Sequence, residues 1–158
     1  MAKMQNTRRQ FLQQVAGGFL FMLYPFNQNN MMNSQGIIVR TSPYGVKETI
    51  DKLVVFLEQK GATIYSRINQ QNEVKHTGRE IPPLEFLLFG NPENGGAIMA
   101  SNPLAALDLP LKIIAWKDAD LVVHIAFNDP LYIQQRYSLH NRLVAPLNLN
   151  PIIDKALA

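Results

Sequence analysis

Hydrophobic and polar positions follow two different periods along the chain from residue 36 onward. Residues 37–41 are rich in β-branched side chains and predict a strand. Between residues 46 and 60 the hydrophobic positions follow the helical period instead, with an apolar face formed by Val46, Ile50, Leu53, Val54 and Leu57. Gly61 is suited to end this helix, and residues 62–68 predict a second strand.

The remaining sequence alternates short predicted strands with short predicted helices. An apolar run at residues 84–89 predicts a central strand, and residues 111–117 and 121–128 predict a hairpin. Further helices are predicted at residues 70–77, 94–101 and 130–137 and near the end of the apolar tail. This order, β-α-β(n)-α, predicts an α+β fold, with an antiparallel or mixed sheet of about five strands and helices packed on one face.

The first 36 residues have the layout of an export signal. Basic side chains precede an apolar run of 12 residues, Val15–Phe26. At 1.5 Å per residue this run spans about 18 Å as a helix, which is short of the ~30 Å hydrocarbon core of a membrane. The segment around it resembles the twin-arginine export motif through four residues, Arg8, Arg9, Phe11 and Leu12.

This resemblance implies an export signal and flexible spacer at residues 1–36, followed by a single domain at residues 37–158. It also implies a periplasmic location and the twin-arginine translocase as a partner during export. Ser34 and Gly36 place small residues at the two positions that a cleavage site needs, but no Ala-x-Ala follows the apolar run and this segment abuts the first predicted strand, so cleavage and retention are both open. A retained signal would tether the domain to the membrane.

The charge distribution excludes some classes of function. The chain has 15 Lys and Arg against 12 Asp and Glu, and three of the basic residues lie in the N-terminal signal: Lys3, Arg8 and Arg9. The remainder is balanced at 12 of each sign, whereas nucleic-acid binding needs a concentrated cationic surface. The domain is therefore predicted to bind no nucleic acid.

The inventory of reactive side chains is small. The absence of Cys excludes disulfides, thiolate metal sites and a cysteine nucleophile. The three histidines, at positions 76, 124 and 140, have no metal-ligand spacing. None of the serines lies in a Gly-x-Ser-x-Gly motif, and no phosphate-binding glycine motif is present. These observations predict no metal and no cofactor.

Four separated stretches resemble a bacterial family, the domain-of-unknown-function family DUF302. They are Gly45–Leu53, Leu87–Pro92, Ala105–Lys112 and Ala126–Pro130, in the family's order within residues 37–140. The resemblance implies a compact α+β fold in which helices back a sheet, and it makes a homodimer an expectation. It implies no established reaction.

One departure from the family pattern bears on chemistry. Many relatives end the second strand with an Asp-His pair, where this chain has Asn69 and Gln70. An amide side chain can hydrogen-bond a ligand but cannot act as a base near neutral pH. Any proton-transfer or metal role of that pair would be lost here.

Polar residues at the ends of predicted strands form the candidate site. Asn91, Asn128 and Asp129 would line a small polar pocket if the two strand ends lie together, with Lys112 nearby. Glu85, a charge within an apolar strand, and His124, on the open side of the sheet, are further ligand-binding candidates. The alternative interpretation is that these are turn, cap and solvated surface residues.

Two classes of function follow. The first is an exported, non-catalytic domain that binds a small ligand or a protein partner, which the lack of a catalytic constellation in the sequence favours. A purely structural interaction module is a variant of it. The second is a cofactor-free or metal-assisted enzyme that uses Glu85, His124 or Asp129.

Overall fold

A five-stranded sheet is the centre of the fold in the computed structural model, which describes residues 36–158. The predicted export signal therefore lies outside the described residues, apart from Gly36. The sheet order is β1-β5-β4-β3-β2, and every neighbouring pair is antiparallel. The strands are β1 (Ile37–Ser42), β2 (Thr63–Asn69), β3 (Leu84–Gly90), β4 (Leu111–Lys117) and β5 (Val123–Asn128). The predicted α+β class and five-stranded sheet are confirmed.

Six α-helices accompany the sheet within residues 36–158. They are α1 (Val46–Gln59), α2 (Gln70–Lys75), α3 (Pro92–Ser101), α4 (Pro130–Tyr137), α5 (Asn141–Val144) and α6 (Asn150–Ala156). Short 3-10 helices occupy Pro103–Leu107 and Ala145–Leu147. No helix of the described part of the chain has the length and apolar character needed to cross a membrane.

The main core lies between one face of the sheet and the helices α1 and α6. The first two strands occupy opposite edges of the sheet, and α1 connects them across this face. Leu53 of α1 and Ile153 of α6 are buried against alternate strand residues such as Leu87, Ile113 and Ile125. Each fully buried side chain of this size contributes about 1.5–3 kcal/mol relative to an exposed one.

A second, smaller core lies among the later helices. Ile98 of α3, Ile133 of α4 and Val144 of α5 belong to one buried cluster. Asn102 joins these elements, because its side-chain nitrogen donates to the carbonyl of Tyr137 at 2.9 Å. This cluster fixes the helices that follow the C-terminal ends of β3 and β5.

The other face of the sheet is also apolar. It carries Phe86, Ile114, Trp116 and Ala126, which pair across neighbouring strands together with His124. The three large apolar side chains are only partly buried, and they belong to neither core cluster described above. The helices α1 and α6 thus pack on a single face of the sheet, as predicted.

Candidate functional site

A cleft of about 200 Å³ lies at the C-terminal end of β3 and is called the Asn91 cleft here. It is bounded by the end of α1, the start of α3 and the segment before α6. Its apolar wall includes Leu57, Phe89, Met99, Leu109, Leu147 and Ile152. Its polar side chains are Lys60, Tyr65, Asn91 and Asn94. Among the described residues that line it there is one cation and no carboxylate.

Asn91 is held in place by its role as the N-cap of α3. Its side-chain oxygen accepts hydrogen bonds from the backbone of Glu93 at 2.9 Å and Asn94 at 3.2 Å. Its side-chain nitrogen donates to the carbonyl of Gly61 at 3.4 Å. Pro92 fits the first helical position, where no N–H is needed. Local capping chemistry therefore places Asn91 on the cleft wall.

The composition of the Asn91 cleft is typical of a small-molecule site. Such sites are mostly apolar, with a few polar groups that orient the ligand. Tyr65 is 48% exposed and lines the cleft. Lys60 supplies the positive charge. The cleft therefore suits a ligand with an apolar body and a polar or anionic end.

The structure places the other strand-end candidates outside this cleft. β4 lies between β3 and β5, so the two strand ends are two strand spacings, or about 10 Å, apart. Asp129 is buried and accepts a hydrogen bond from the backbone of Leu131 at 2.8 Å, as the predicted cap of α4. The ammonium of Lys112 donates to the carbonyl of Pro110 at 3.2 Å. Neither Asn128, Asp129 nor Lys112 lines the Asn91 cleft.

Asn128 belongs instead to a cluster centred on Asp108. The Asp108 carboxylate accepts hydrogen bonds from the hydroxyl of Tyr137 at 2.7 Å, from Arg136 at 3.3 Å and from Asn128 at 3.4 Å. Burial, followed by the hydrogen bond to this carboxylate, raises the pKa of Tyr137. The cluster joins the end of β5 to α4, and nothing in the sequence pattern indicated it.

Glu85 is buried rather than solvated, so the alternative interpretation of this residue is wrong. Its residue exposure is 5%, and one carboxylate oxygen, Oε2, accepts a hydrogen bond from Nε of Arg67 at 2.7 Å and lies 2.7 Å from Nη2 of the same side chain in an ion pair. Arg67 also donates to Asp51 at 2.6 Å, and Lys47 donates to the same carboxylate at 2.8 Å. Hydrogen bonds from Lys47 and then Arg67 lower the pKa of Asp51. The result is a charge-balanced chain of four side chains.

His124 lies on the face of the sheet opposite α1, as predicted. Its Nε2 atom is 2.6 Å from Asp118 Oδ2, and its ring stacks on Trp116 with a centroid distance of 5.1 Å. The hydrogen bond with His124 is the main cause of a lowered pKa at Asp118. Within residues 36–158 no group of three or more His, Asp or Glu side chains is arranged to hold a metal ion.

Curated proteins similar to this chain include longer polypeptides. The protein named fluoride-specific ion channel FluC 1 of Brucella suis biovar 1 (strain 1330) is 34% identical over 104 residues, which are 66% of this chain and 41% of the relative. The FluC 1 protein of Brucella abortus biovar 1 (strain 9-941) is 34% identical over 104 residues and is covered to 38%. The chain thus spans about two fifths of the length of these relatives.

A solved structure has the same fold. It is the crystal structure of an uncharacterized conserved DUF302 protein from Bacillus stearothermophilus, with a TM-score of 0.67 and 17% sequence identity. The match covers 78% of this chain and 97% of that chain. The sequence profile described as "Domain of unknown function DUF302" matches residues 38–156. The chain belongs to the DUF302 family.

Proposed function

We propose that this DUF302 domain is a binding module that takes a small ligand in the Asn91 cleft. The observation that carries the proposal is the composition of the cleft, in which apolar walls surround a few polar groups and one cation. The matching ligand has an apolar body and an anionic end, as a medium-chain carboxylate does. Lys60 would attract the carboxylate, and Leu57 and Leu147 would contact the chain.

Two neighbouring glycines allow a matched test. Gly95 lines the cleft and Gly96 does not, and a Cβ at either position meets open space. Both lie in α3, where Leu is a better helix former than Gly by roughly 0.8 kcal/mol. Gly95→Leu should therefore fill the cleft without unfolding the protein, and Gly96→Leu should leave it open.

The measurement is a thermal melt with octanoate, with octylamine as the probe of opposite charge. We expect octanoate to raise the melting temperature of the parent protein and of Gly96→Leu but not of Gly95→Leu. A ligand at 100 times its Kd stabilises a protein by about 2.7 kcal/mol. An equal shift in Gly95→Leu, or no shift in any variant, would refute the proposal.

A binding role also fits the occurrence of this domain type in longer proteins. The Brucella relatives are named as fluoride-specific ion channels, and the match covers about two fifths of their length. A module that binds rather than reacts can be joined to a protein whose named activity is transport. Sodium fluoride compared with sodium chloride in the same melt tests fluoride as the ligand, and the apolar lining of the Asn91 cleft predicts no fluoride-specific shift.

The enzyme alternative has weaker support. Its three predicted residues each have a separate partner: Glu85 contacts Arg67, His124 contacts Asp118, and Asp129 caps α4. Metal content of the purified protein distinguishes the two functions. A stoichiometric bound metal would favour the enzyme, and a metal-free protein that binds octanoate would favour the module.

We also propose that the protein is exported through the twin-arginine translocase and works in the periplasm. The support is the sequence at Arg8, Arg9, Phe11 and Leu12. The double change Arg8→Lys and Arg9→Lys keeps the charge and removes the arginine pair. Cell fractionation should then find the protein in the cytoplasm, and unchanged periplasmic accumulation would contradict the proposal. Membrane association of the parent protein would indicate a retained signal.

A further inference from the structure

A second cleft lies at the opposite end of β3 from Asn91. It has a volume of about 470 Å³, within the ~300–1,000 Å³ that is common for small-molecule sites. It is formed where α1 begins, β2 and β4 end, and β3 starts. It is called the Glu85 cleft here, and its charged and amide side chains are Lys47, Glu48, Asp51, Asn69, Gln71, Glu85 and Lys117.

The first feature of the Glu85 cleft is a buried carboxylate in which only one of the two oxygens accepts a hydrogen bond from residues 36–158. The hydrogen bond and the ion-pair contact from Arg67 both involve Oε2 of Glu85, and Oε1 accepts no hydrogen bond from residues 36–158. Glu85 lines the cleft, and no fully buried side-chain atom of the described residues lacks a hydrogen-bond partner, which points to Oε1 as the carboxylate oxygen that a ligand in the cleft can reach. The charge of a carboxylate in a residue that is only 5% exposed is stabilised by each additional hydrogen-bond donor. Oε1 is therefore a fixed acceptor for a ligand.

The second feature is a group of donors at the start of α1 and on β4, in a part of the cleft that also contains the carboxylate of Glu48. The 14-residue helix α1 begins after Gly45, which has no side-chain cap. The first N–H groups of a helix have no acceptor within it and favour an anion. Lys117 lines the same cleft and takes part in none of the ion pairs of residues 36–158, whereas Lys47 is paired with Asp51.

We infer that the Glu85 cleft binds a small zwitterion, a molecule that carries both an ammonium and a carboxylate group, as α-amino acids do. The ammonium donates to Oε1 of Glu85, and the carboxylate accepts from the N-terminal turn of α1 and from Lys117. Arg67 is a positioning residue, since it holds Oε2 and so directs Oε1 into the cleft. This ligand class differs from that of the Asn91 cleft, where no carboxylate is available to bind an ammonium.

The test uses L-serine, L-lysine and L-glutamate one at a time, with acetate and ethylammonium as probes that carry one charge each. Isothermal titration calorimetry on the full chain should detect at least one of the amino acids, and neither single-charge probe should bind with comparable affinity. Glu85→Gln keeps the shape of the side chain and removes its charge, and it should weaken binding at least tenfold. Lys117→Gln removes the opposite charge and should also weaken binding.

The controls separate this inference from the proposed function. Gly95→Leu fills the Asn91 cleft and should leave amino-acid binding unchanged. If Glu85→Gln fails to fold, Lys117→Gln, which changes a half-buried residue outside both core clusters, decides the question. Absence of binding by all three amino acids, unchanged affinity in the folded variants, or equal binding of acetate alone would each overturn the inference.

Discussion

At the scale of single residues, the position of Arg67 shows what the sequence could not reveal. In a regular strand Ser66 would follow Ile64 onto the helix-covered face, and Arg67 would point to the other side. A bulge between Ile64 and Ser66 shifts the register, so Arg67 lies opposite Leu87, on the side covered by α1. The period-2 pattern contains no signal for this extra residue. The ion pair with Glu85 was therefore missed.

The pair of Arg67 and Glu85 makes a prediction about stability. Arg67→Met removes the partner of a buried carboxylate and should lower the free energy of unfolding by about 3–5 kcal/mol. Lys47→Met is the matched control, since the Lys47 side chain is 77% exposed and its pair with Asp51 should contribute less than about 1 kcal/mol. Urea unfolding measures both variants. Similar decreases in the free energy of unfolding of the two variants would contradict this prediction, because the burial of Glu85 would then not determine the size of the decrease.

At the scale of elements, predictions were most accurate where the determining contacts are local. The helix α4 starts at Pro130 with Asp129 as its cap, as predicted. The strand β5 starts at Val123 rather than at the predicted residue 121. The reason is the Asp118 carboxylate, which accepts from the backbone of Asp120 and Val122 and extends the turn. Leu121 in this turn has a positive φ of 64°.

The helix α6 carries a prediction at this scale. Ile153 is 1% exposed and is part of the main core together with α1, in the apolar tail for whose end the sequence predicted a helix. Ile153→Ala should lower the free energy of unfolding by about 2–5 kcal/mol through lost burial and the remaining cavity. Lys155→Ala, on the same helix and exposed, should change it by less than about 0.5 kcal/mol. A thermal or urea melt of both variants checks whether α6 is an integral part of the domain.

At the scale of the whole molecule, strand order determined how much of the site was predictable. The sequence identified Asn91 because a strand end and a helix cap are local signals. It predicted a shared pocket for Asn91 and Asn128 if their strand ends lie together, but the position of β4 between the two strands depends on long-range pairing. The contribution of Leu147 and Ile152 to the Asn91 cleft likewise depends on where the tail folds back. Such contacts are set by packing of the complete domain.

The apolar face of the sheet gives the prediction at this scale. We propose that two copies associate as a homodimer through the face that carries the half-buried side chains of Phe86, Ile114 and Trp116, because the face of an antiparallel sheet that lies away from the core is usually polar and this one is apolar. Light scattering should give twice the monomer mass of 17.8 kDa, and Ile114→Glu should reduce it to the monomer value. Leu131→Glu changes a residue that is 54% exposed in α4, and it should leave the dimer intact. A monomeric parent protein would contradict the proposal.

The edge position of β1 has a consequence for synthesis on the ribosome. Among the strands of residues 36–158, β1 pairs only with β5, so within this part of the chain residues 37–42 have no partner strand until residues 123–128 have emerged. β2, β3 and β4 can pair with one another earlier in translation, whereas β1 cannot pair with β5 until almost the whole domain has been synthesised. Pairing between strands so distant in sequence is slow, because a long loop must close first. A nascent chain stalled before Val123 should therefore remain protease-sensitive at β1.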